Sequence, residues 1–360
     1  MNRKRVLVTG ACGTVGSLLV PALLWDASMP VGEVIGIDNN ESQLFFLEQR
    51  HLQEPRARFF VADIRDREEL IRRMTGIDIV FHTAALKHVI LCERSPEQVI
   101  QTNIVGVQNV VAAASACKVE RVIFTSSDKA VNPTNVMGTS KLMGERLMTA
   151  ANSHKRGQGP IFASTRFGNV LGSNGSVVPI FHNQIAHGGP VTLTDAEMTR
   201  FVMSIQEAVR LVIDSAAMAR GGEVFITKMP VVRIADLARA MIEELAPKYG
   251  FAPERIETKI IGTKPGEKLY EELMSTEETR RAVELERYFS VLPAFRGIYH
   301  DIAYDYTDVV STNITNPYIS AQEQPLSITE IRAFLRRNGL LATPAEATSA
   351  RYWPGDKEGR

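Results

Sequence analysis

The sequence is poor in cysteine and has no excess of charge of either sign. Its 360 residues include three cysteines, Cys12, Cys92 and Cys117, an odd number without paired spacing. We therefore do not expect an extracellular fold stabilised by disulfide bonds. A reducing, cytoplasmic environment fits the cysteine content best. The 41 basic residues are balanced by 41 acidic residues. This balance argues against a nucleic-acid partner or a polybasic membrane surface, although it permits a local basic pocket for phosphates.

Long apolar runs and metal-binding spacings are also missing. No run approaches the roughly 20 apolar residues of a membrane span, and the amino terminus passes from MNRKR into a strand pattern rather than into a signal peptide. The seven histidines show no zinc-like spacing, so we expect no metal site. These exclusions leave a large globular chain with a packed core.

Short apolar runs alternate with helical patterns over the first half of the chain. The runs are rich in Val, Ile and Phe, which is typical of parallel strands covered on both faces. They read RVLVTG, EVIGID, RFFVAD, DIVFHTA and RVIFTSS. This alternation predicts an α/β fold with a Rossmann-type, doubly wound parallel sheet.

Capping patterns predict where several helices begin. Ser95 is followed by Pro96, which suits the first helical position, and by Gln98, which would close a capping box. Ser204 and Ser327 each precede a glutamate at the third helical position and an apolar-periodic segment. Between these two helices, GGEVFITK is predicted to be a late strand that returns to the sheet.

Glycines mark a nucleotide site after the first strand. Gly10, Gly13 and Gly16 form a tight turn that opens a helix, where backbone N–H groups can approach a pyrophosphate. Asp38 ends the second strand, where a carboxylate accepts ribose hydroxyls and repels a 2′-phosphate. The pattern therefore predicts a dinucleotide cofactor and favours NAD over NADP.

Two further strand ends complete the predicted NAD site. Asp63, with Ile64, follows the third strand and either contacts the adenine or caps a helix. Ala84 and Ala85 follow the fourth strand, where small side chains let a cofactor lie close. The predicted cofactor residues are Gly10, Gly13, Thr14, Val15, Gly16, Asp38, Asp63, Ile64, Ala84 and Ala85.

The pattern after about residue 170 is looser and richer in turns. We assign residues 1–170 to an NAD-binding Rossmann domain, with 200–228 returning to it. Residues 171–199 and 229–325 are assigned to a smaller, interleaved substrate-binding region, and 326–360 to a C-terminal helix and tail.

A tyrosine is missing where nucleotide-dependent oxidoreductases carry Tyr-x-x-x-Lys. Met137 occupies its place before Lys141, and a thioether carries no transferable proton. Ser127, Asp128 and Lys129 lie just upstream, directly after the fifth strand, at the sheet edge where such folds bind ligands. They are either the relocated proton-transfer groups or an ordinary surface turn.

Several stretches together resemble the extended short-chain dehydrogenase/reductase superfamily. Within it, the chain resembles the CapD-like nucleotide-sugar 4,6-dehydratases that act on UDP-N-acetylglucosamine, in the branch with methionine for tyrosine but without that branch's membrane region. The stretches are TGACGTVG, HTAALKHV, SSDKAVNPTNVMGTSK, TRFGNVLGSNGSVVPIF, TRFVMSIQEAV and GTKPGEKLYEEL. Two positions depart from the usual pattern, because Ser127 replaces a threonine and Lys264 replaces an arginine.

The resemblance implies a reaction with bound NAD. Hydride leaves sugar C4, water is eliminated across C5 and C6, and the hydride returns to C6. By resemblance Asp128 is the acid at the C6 hydroxyl and Lys129 is the base at C5. Their ordinary pKa values are about 4 and about 10.4, so we expect burial and contact to raise that of Asp128 and lower that of Lys129.

The remaining predicted site residues are expected to act at the C4 oxygen or to contact the cofactor and the substrate. Ser127 can pass a proton from the C4 hydroxyl to Asp128 or water, Lys141 binds the nicotinamide ribose, and Met137 packs on a ligand or fills the tyrosine's volume. Asn103 is expected to brace the active-site loop from within the core. The predicted substrate-binding residues are Lys87, Asn169, Ser173, Arg200, Lys264 and Glu267.

Alternatives of other kinds stay open. A nucleotide-sugar 4-epimerase would share the scaffold but would need the tyrosine, and a noncatalytic sugar-nucleotide-binding protein would be consistent with Met137. GDP-N-acetylglucosamine is an alternative substrate, since UDP rests on the resemblance alone. The methionine branch suggests retention at C5. A homo-oligomer, such as a dimer formed through two long helices, is expected because it is common in this superfamily.

Overall fold

The structure is a computed structural model that describes residues 3–26, 28–154, 159–173, 175–263, 266–295 and 302–342. The predicted tail beyond residue 342 lies outside these residues. The described strands are β1 (Lys4–Thr9), β2 (Val31–Asp38), β3 (Ala57–Val61), β4 (Ile79–His82), β5 (Arg121–Ser127), β6 (Ile161–Phe167), β7 (Asn169–Val170), β8 (Val191–Leu193), β9 (Thr199–Met203), β10 (Val224–Thr227), β11 (Val231–Arg233), β12 (Thr258–Ile260), β13 (Glu272–Met274), β14 (Ala282–Leu285), β15 (Tyr288–Val291), β16 (Val309–Ser311) and β17 (Tyr318–Ile319).

Helices connect most of these strands. They are α1 (Gly16–Trp25), α2 (Glu41–Arg50), α3 (Arg67–Met74), α4 (Val89–Arg94), α5 (Pro96–Val99), α6 (Gly106–Ala116), α7 (Val136–Ala151), α8 (Val177–Ala186), α9 (Ile205–Met218), α10 (Ile234–Leu245), α11 (Thr276–Thr279) and α12 (Ile328–Arg337). A π-helical segment, Ile100–Val105, joins α5 to α6, and a 3-10 turn, Asp128–Ala130, follows β5. Among the described helices, none is both long and apolar enough to cross a membrane.

A ten-stranded sheet forms the centre of the molecule, in the order β16-β14-β15-β10-β6-β5-β4-β1-β2-β3. From β10 to β3 all neighbouring strands are parallel, so the predicted doubly wound sheet and the late returning strand are confirmed. Val6, Leu7 and Val8 on β1 are fully buried because helices cover both faces of this central strand.

Antiparallel strands extend the sheet further than the sequence pattern predicted. β15, β14 and β16 add to β10, although they belong to the region that we assigned to substrate binding. Three smaller sheets, β11-β9-β7, β12-β8 and β13-β17, are formed by the later part of the chain. The two assigned regions therefore share one sheet, and the domain boundaries stay an interpretation.

Two of the three predicted helix caps are confirmed. Ser204 and Ser327 accept from the backbone of Glu207 and Glu330, whose side chains bond back to the cap residues. The capping box predicted at Ser95 is wrong, because its side chain makes no capping bond. Its backbone, at φ −137° and ψ 58°, departs from the extended conformation that aims a cap side chain at the helix.

A buried ion network joins the helix after the active-site turn to the later part of the chain. Arg166 on β6 donates to both carboxylate oxygens of Glu145 on α7 and to both of Glu278 on α11, at 2.7–2.9 Å. The Arg166 side chain is only 1% exposed. Burial raises the pKa of Glu278, but the charge and hydrogen bonds of Arg166 outweigh it and lower the pKa to about 2.

We expect Arg166→Met to lower the free energy of unfolding by about 3–5 kcal/mol, because it removes the cation bonded to buried Glu145 and leaves buried Glu278 with the more distant Arg281, at 3.7 Å. Urea denaturation at neutral pH measures the change. Arg239→Met is the matched control, since Arg239 pairs with Glu243 from a side chain that is 69% exposed. That variant should lose less than about 1 kcal/mol, and equal losses in the two variants would contradict the role given to the buried network.

Candidate active site

The glycine-rich turn lies between β1 and α1 at the carboxyl edge of the sheet. Gly10 has φ +69°, and a Cβ there would lie 2.6 Å from the backbone nitrogen of Ala84. A Cβ on Gly16 would lie 2.2 Å from the carbonyl oxygen of Gly10. No side chain caps the N-terminus of α1 at Val15. The turn is therefore a close-packed backbone cradle in front of a helix N-terminus, which suits a pyrophosphate.

Asp38 is anchored beside this turn. Its Oδ2 accepts from the backbone N–H of Cys12 at 3.0 Å, and its Oδ1 accepts from the backbone N–H of Asn40 at 2.9 Å. Burial, followed by the charge of Asp38, raises the pKa of the Cys12 thiol to about 12. Thr14 continues the same turn. The carboxylate thus lies where the sequence predicted an acceptor for ribose hydroxyls.

The alternative role of Asp63 as a helix cap is wrong. α3 is capped by Asp66, whose Oδ1 accepts from the backbone N–H of Glu69 at 3.0 Å. Asp63 instead pairs with the guanidinium of Arg65 at 2.6 Å, and this pairing lowers the pKa of Asp63 below its ordinary value. The predicted adenine contact of Asp63 stays a prediction.

The other predicted cofactor positions differ in burial. Ile64 is 6% exposed and packs in the core against Gly106. Ala84 follows β4 in contact with Gly10, and Ala85 is partly buried behind it. Lys141 on α7 is buried, and its Nζ donates to the carbonyl of Thr125 at 2.8 Å. Burial lowers the pKa of Lys141 to about 8. Its predicted ribose contact stays a prediction.

Ser127, Asp128 and Lys129 form one hydrogen-bonded cluster at the carboxyl end of β5. Ser127 Oγ donates to Asp128 Oδ1 at 2.7 Å, and the Lys129 backbone N–H donates to the same oxygen at 2.8 Å. Lys129 Nζ donates to it as well, at 3.1 Å. The Asp128 side chain is 1% exposed, and its Oδ2 has no hydrogen-bond partner among the described residues. This is a buried, compact acid–base group and not a solvated surface turn.

Glu271 is a member of this cluster that sequence reasoning missed. Its Oε1 lies 3.1 Å from Lys129 Nζ, and its side chain is 2% exposed. It precedes β13 within the stretch KLYEEL, where Glu267 and Glu272 lie nearby. No local pattern distinguishes Glu271 from these neighbours, because its partner belongs to a distant part of the chain.

The expected direction of the Lys129 pKa shift is wrong in this structure. Burial lowers the pKa of Lys129, but the negative charges of Asp128 and Glu271 outweigh burial and raise the pKa above its ordinary value. The expectation considered one carboxylate beside the amine, whereas the fold supplies two. In this arrangement Lys129 carries an ammonium group.

Met137 lies in the first turn of α7 and is 4% exposed. It packs with Cys92 and Val99 in a small apolar cluster. Nearby, Asn103 accepts from the Leu86 backbone N–H at 2.8 Å and donates to the Leu86 carbonyl at 2.9 Å. The bracing role predicted for Asn103 is therefore confirmed, and Met137 is packed among apolar side chains.

The start of β13 and the segment before it are hydrogen-bonded to the loop that follows the 3-10 turn Asp128–Ala130. Lys268 Nζ donates to the carbonyl of Val131 at 2.9 Å, and Asn132 Nδ2 donates to Glu272 Oε2 at 2.8 Å. Asn135 Nδ2 donates to the carbonyl of Gly266 at 3.1 Å. These bonds explain how a distant stretch of the chain brings Glu271 to Lys129.

The structure places the predicted substrate residues around this segment. Arg200 is buried, donates to backbone carbonyls of Thr199, Lys268 and Leu269, and lies 3.7 Å from Glu271 and 3.9 Å from Glu267. Asn169 on β7 pairs with Val202 on β9, the strand that carries Arg200. Ser173 is partly buried and Lys87 is exposed, whereas Lys264 lies outside the described residues. Their substrate contacts stay predictions.

Comparisons with known proteins show the family to which the chain belongs. A model of the polysaccharide biosynthesis protein family matches residues 6–293. The chain is 37% identical over 301 residues to the UDP-N-acetylglucosamine 4,6-dehydratase (inverting) of Campylobacter jejuni, an alignment that covers 83% of this chain and 86% of the relative. It is 36% identical over 295 residues to the UDP-glucose 4-epimerase of Rickettsia canadensis, covering 80% and 82%.

Solved structures share the fold. The X-ray structure of Pen from Bacillus thuringiensis matches with a TM-score of 0.86 and 38% identity, covering 95% of this chain and 99% of that chain. The dTDP-glucose 4,6-dehydratase DesIV from Streptomyces venezuelae, solved with NAD, matches with a TM-score of 0.65 and 25% identity, covering 74% and 86%. These likenesses confirm the predicted Rossmann-type fold.

We expect Gly10→Ala to lower the affinity for NAD by about tenfold or more, or ~1.4 kcal/mol, because the added methyl group would clash with the Ala84 backbone. Isothermal titration with NAD measures the change. Gly250→Ala is the matched control, since Gly250 also has a positive φ, +79°, but has no atom within 4 Å of an added Cβ. Wild-type affinity in Gly10→Ala would contradict the assignment of the cofactor cradle.

Proposed function

The chain belongs to the polysaccharide biosynthesis protein family of nucleotide-sugar dehydratases and epimerases, and we propose that it is an NAD-dependent 4,6-dehydratase of UDP-N-acetylglucosamine. One observation carries this proposal: the hydrogen-bonded cluster of Ser127, Asp128 and Lys129 lies at the sheet edge, and Met137 stands where a tyrosine would. A dehydratase needs a paired acid and base, whereas a 4-epimerase needs proton exchange at the C4 oxygen alone.

The NAD site is supported by its fit to the residues present. Gly10 and Gly16 leave a cradle that a Cβ would fill, the N-terminus of α1 has no side-chain cap, and Asp38 is held beside them. When bound, NAD supplies the redox chemistry by accepting hydride from C4 and returning it to C6. Thr14 and Val15 offer backbone N–H groups to its pyrophosphate, and Lys141 is proposed to hold the ribose.

Proton transfers are assigned to the cluster after β5. Ser127 Oγ, 2.7 Å from Asp128 Oδ1, passes the proton of the C4 hydroxyl to that carboxylate. Asp128 then donates this proton to the C6 hydroxyl, which leaves as water. Lys129 as the neutral amine removes the C5 proton and returns it to C5 when hydride adds at C6. The net change is the loss of one water, with no net consumption of NAD.

Substrate identity and product configuration rest on resemblance. The Campylobacter relative is named for UDP-N-acetylglucosamine and as inverting, whereas Met137 resembles the branch in which retention at C5 is expected. The substrate contacts proposed for Lys87, Asn169, Ser173, Arg200 and Glu267 are consistent with a diphosphate and ribose beside β9. A homo-oligomer and a cytoplasmic location stay predictions from the sequence.

Mass spectrometry of UDP-N-acetylglucosamine incubated with the purified protein tests the proposal directly. We expect a product that is lighter by one water, formed without added NAD if the cofactor copurifies. A product of unchanged mass but altered C4 configuration by NMR would identify an epimerase. No product with this sugar or with GDP-N-acetylglucosamine, with NAD added, would favour a noncatalytic binder.

Asp128→Asn and Lys129→Ala are each expected to reduce water loss by about a hundredfold or more, because each removes one of the two proton-transfer groups. NAD released on denaturation should match wild type, since neither residue belongs to the cofactor cradle. Lys259→Ala, on the exposed edge strand β12, is the matched control and should keep wild-type turnover. Wild-type turnover in either active-site variant would refute the assigned roles.

Met137→Leu is expected to keep turnover within about tenfold of wild type, because an exchange of similar apolar volumes is well tolerated in a packed cluster. Turnover is measured by the same mass-spectrometric assay. Met137→Tyr serves as the contrasting variant, since it restores the phenol but must displace Cys92 and Val99. A complete loss in Met137→Leu would show a chemical role for the sulfur.

A further inference from the structure

Lys129 lies between two buried carboxylates. Its Nζ is 3.1 Å from Asp128 Oδ1 and 3.1 Å from Glu271 Oε1. The two carboxylate side chains are 1% and 2% exposed, whereas that of Lys129 is 26% exposed. The two carboxylates are therefore more deeply buried than the lysine side chain that contacts them.

Glu271 is held rigidly by its surroundings. Its backbone N–H donates to Ser320 Oγ at 3.0 Å, and its carbonyl accepts from the Ser320 backbone N–H at 2.9 Å. Arg200 Nε lies 3.7 Å from Oε1. Oε2 is buried and has no hydrogen-bond partner among the described residues. One oxygen of Glu271 thus faces Lys129 while the other is available to carry a proton.

A base at C5 must be a neutral amine, so the resting ammonium of Lys129 has to release a proton first. Only Asp128 and Glu271 accept a hydrogen bond or ion pair from its Nζ within 3.1 Å in the described part of the chain. Asp128 already takes the proton of the C4 hydroxyl and passes it to the C6 hydroxyl. Glu271 is the acceptor that this sequence of transfers leaves free.

We propose that Glu271 is a positioning residue that holds Lys129 and stores the amine's proton while the elimination proceeds. This inference rests on the proposed function. Lys129 transfers one proton across the 3.1 Å contact to Glu271, takes the C5 proton, gives it back to C5, and then recovers its own proton from Glu271. No proton is gained or lost from the cluster through Glu271, and the charge of the pair is the same before and after turnover.

The electrostatics of the cluster agree with this role. Burial and the charge of Asp128 raise the pKa of Glu271, against the lowering effects of Lys129 and Arg200. Asp128 from the turn after β5, Arg200 from β9 and Glu271 from the segment before β13 are the charged groups that act on Lys129. A carboxyl group with a raised pKa is a better proton acceptor for an ammonium than an ordinary surface glutamate.

Glu271→Gln tests the proposal, with Glu257→Gln, at an exposed glutamate directly before β12, as the control. The first readout is the pH midpoint of Lys129 reductive methylation, measured by peptide mass spectrometry. Removing the charge of Glu271 should lower that midpoint by about one pH unit or more, whereas Glu257→Gln should leave it unchanged. This measurement needs no turnover, and the Lys129 side chain is 26% exposed.

The second readout is the pH profile of turnover. At neutral pH Glu271→Gln should reduce kcat by about tenfold or more with KM within about threefold, because the substrate contacts are kept. Turnover should recover as pH rises through the new Lys129 midpoint, since the amine then loses its proton to solvent. A loss that is equal at every pH would indicate a merely structural role and would overturn the proposal.

Glu271→Asp keeps the experiment decisive if Glu271→Gln does not fold. The shorter aspartate side chain should retain the negative charge. It should shift the pH midpoint of Lys129 methylation by less than Glu271→Gln does, and it should restore part of kcat. An unchanged midpoint in every folded Glu271 variant overturns the inference whatever the reaction is. If the wild-type protein turns over no nucleotide sugar, the proposed function and the proton storage fail together. A shifted pH midpoint of Lys129 methylation would then support only an electrostatic interaction between Glu271 and Lys129.

Discussion

Parallel strand pairing from β10 to β3 is the constraint on which the rest of the structure depends. Because the strands run in one direction, their carboxyl ends meet at one edge, and the turns that follow β1, β2, β4 and β5 are brought together there. Gly10 and Ala84 follow β1 and β4, whereas Asp38 and Ser127 are the last residues of β2 and β5. The residues proposed to bind the cofactor and to transfer protons can therefore share one edge although they are separated along the chain.

A second constraint comes from the segment before β13. It is fastened to the loop after β5 by Lys268, Asn132 and Asn135, and it carries Glu271 against Lys129. Without these bonds the turn after β5 would hold one carboxylate and one amine at the edge of the sheet. With them, Lys129 contacts two carboxylates, so its pKa depends on a part of the chain that follows the parallel strands.

Sequence patterns predicted the helices and strands well where interactions between neighbouring residues determine them. Strands in buried positions need continuous apolar runs, and the capping boxes at Ser204 and Ser327 involve residues only three apart, so both could be read from short windows. Ser95 has the same local pattern, but α4 ends directly before it and its backbone takes a conformation that directs the side chain away from the cap position. β14 and β15 form a local hairpin with each other, but β15 joins the central sheet at β10, a strand far away in the sequence, so this extension of the sheet was missed.

The sequence by itself determined the kind of sheet, the glycine turn, the identity of the residues after β5 and the absence of a tyrosine at position 137. These features depend on residue types at short, fixed spacings in the sequence. Covalent geometry and the direction of the strands then determine where those residues lie in the fold. Only the tertiary structure decided the partner of Lys129 and the direction of its pKa shift. Electrostatic interaction between buried charges depends on distance in space, and no spacing along the chain encodes that Glu271 lies 3.1 Å from Lys129.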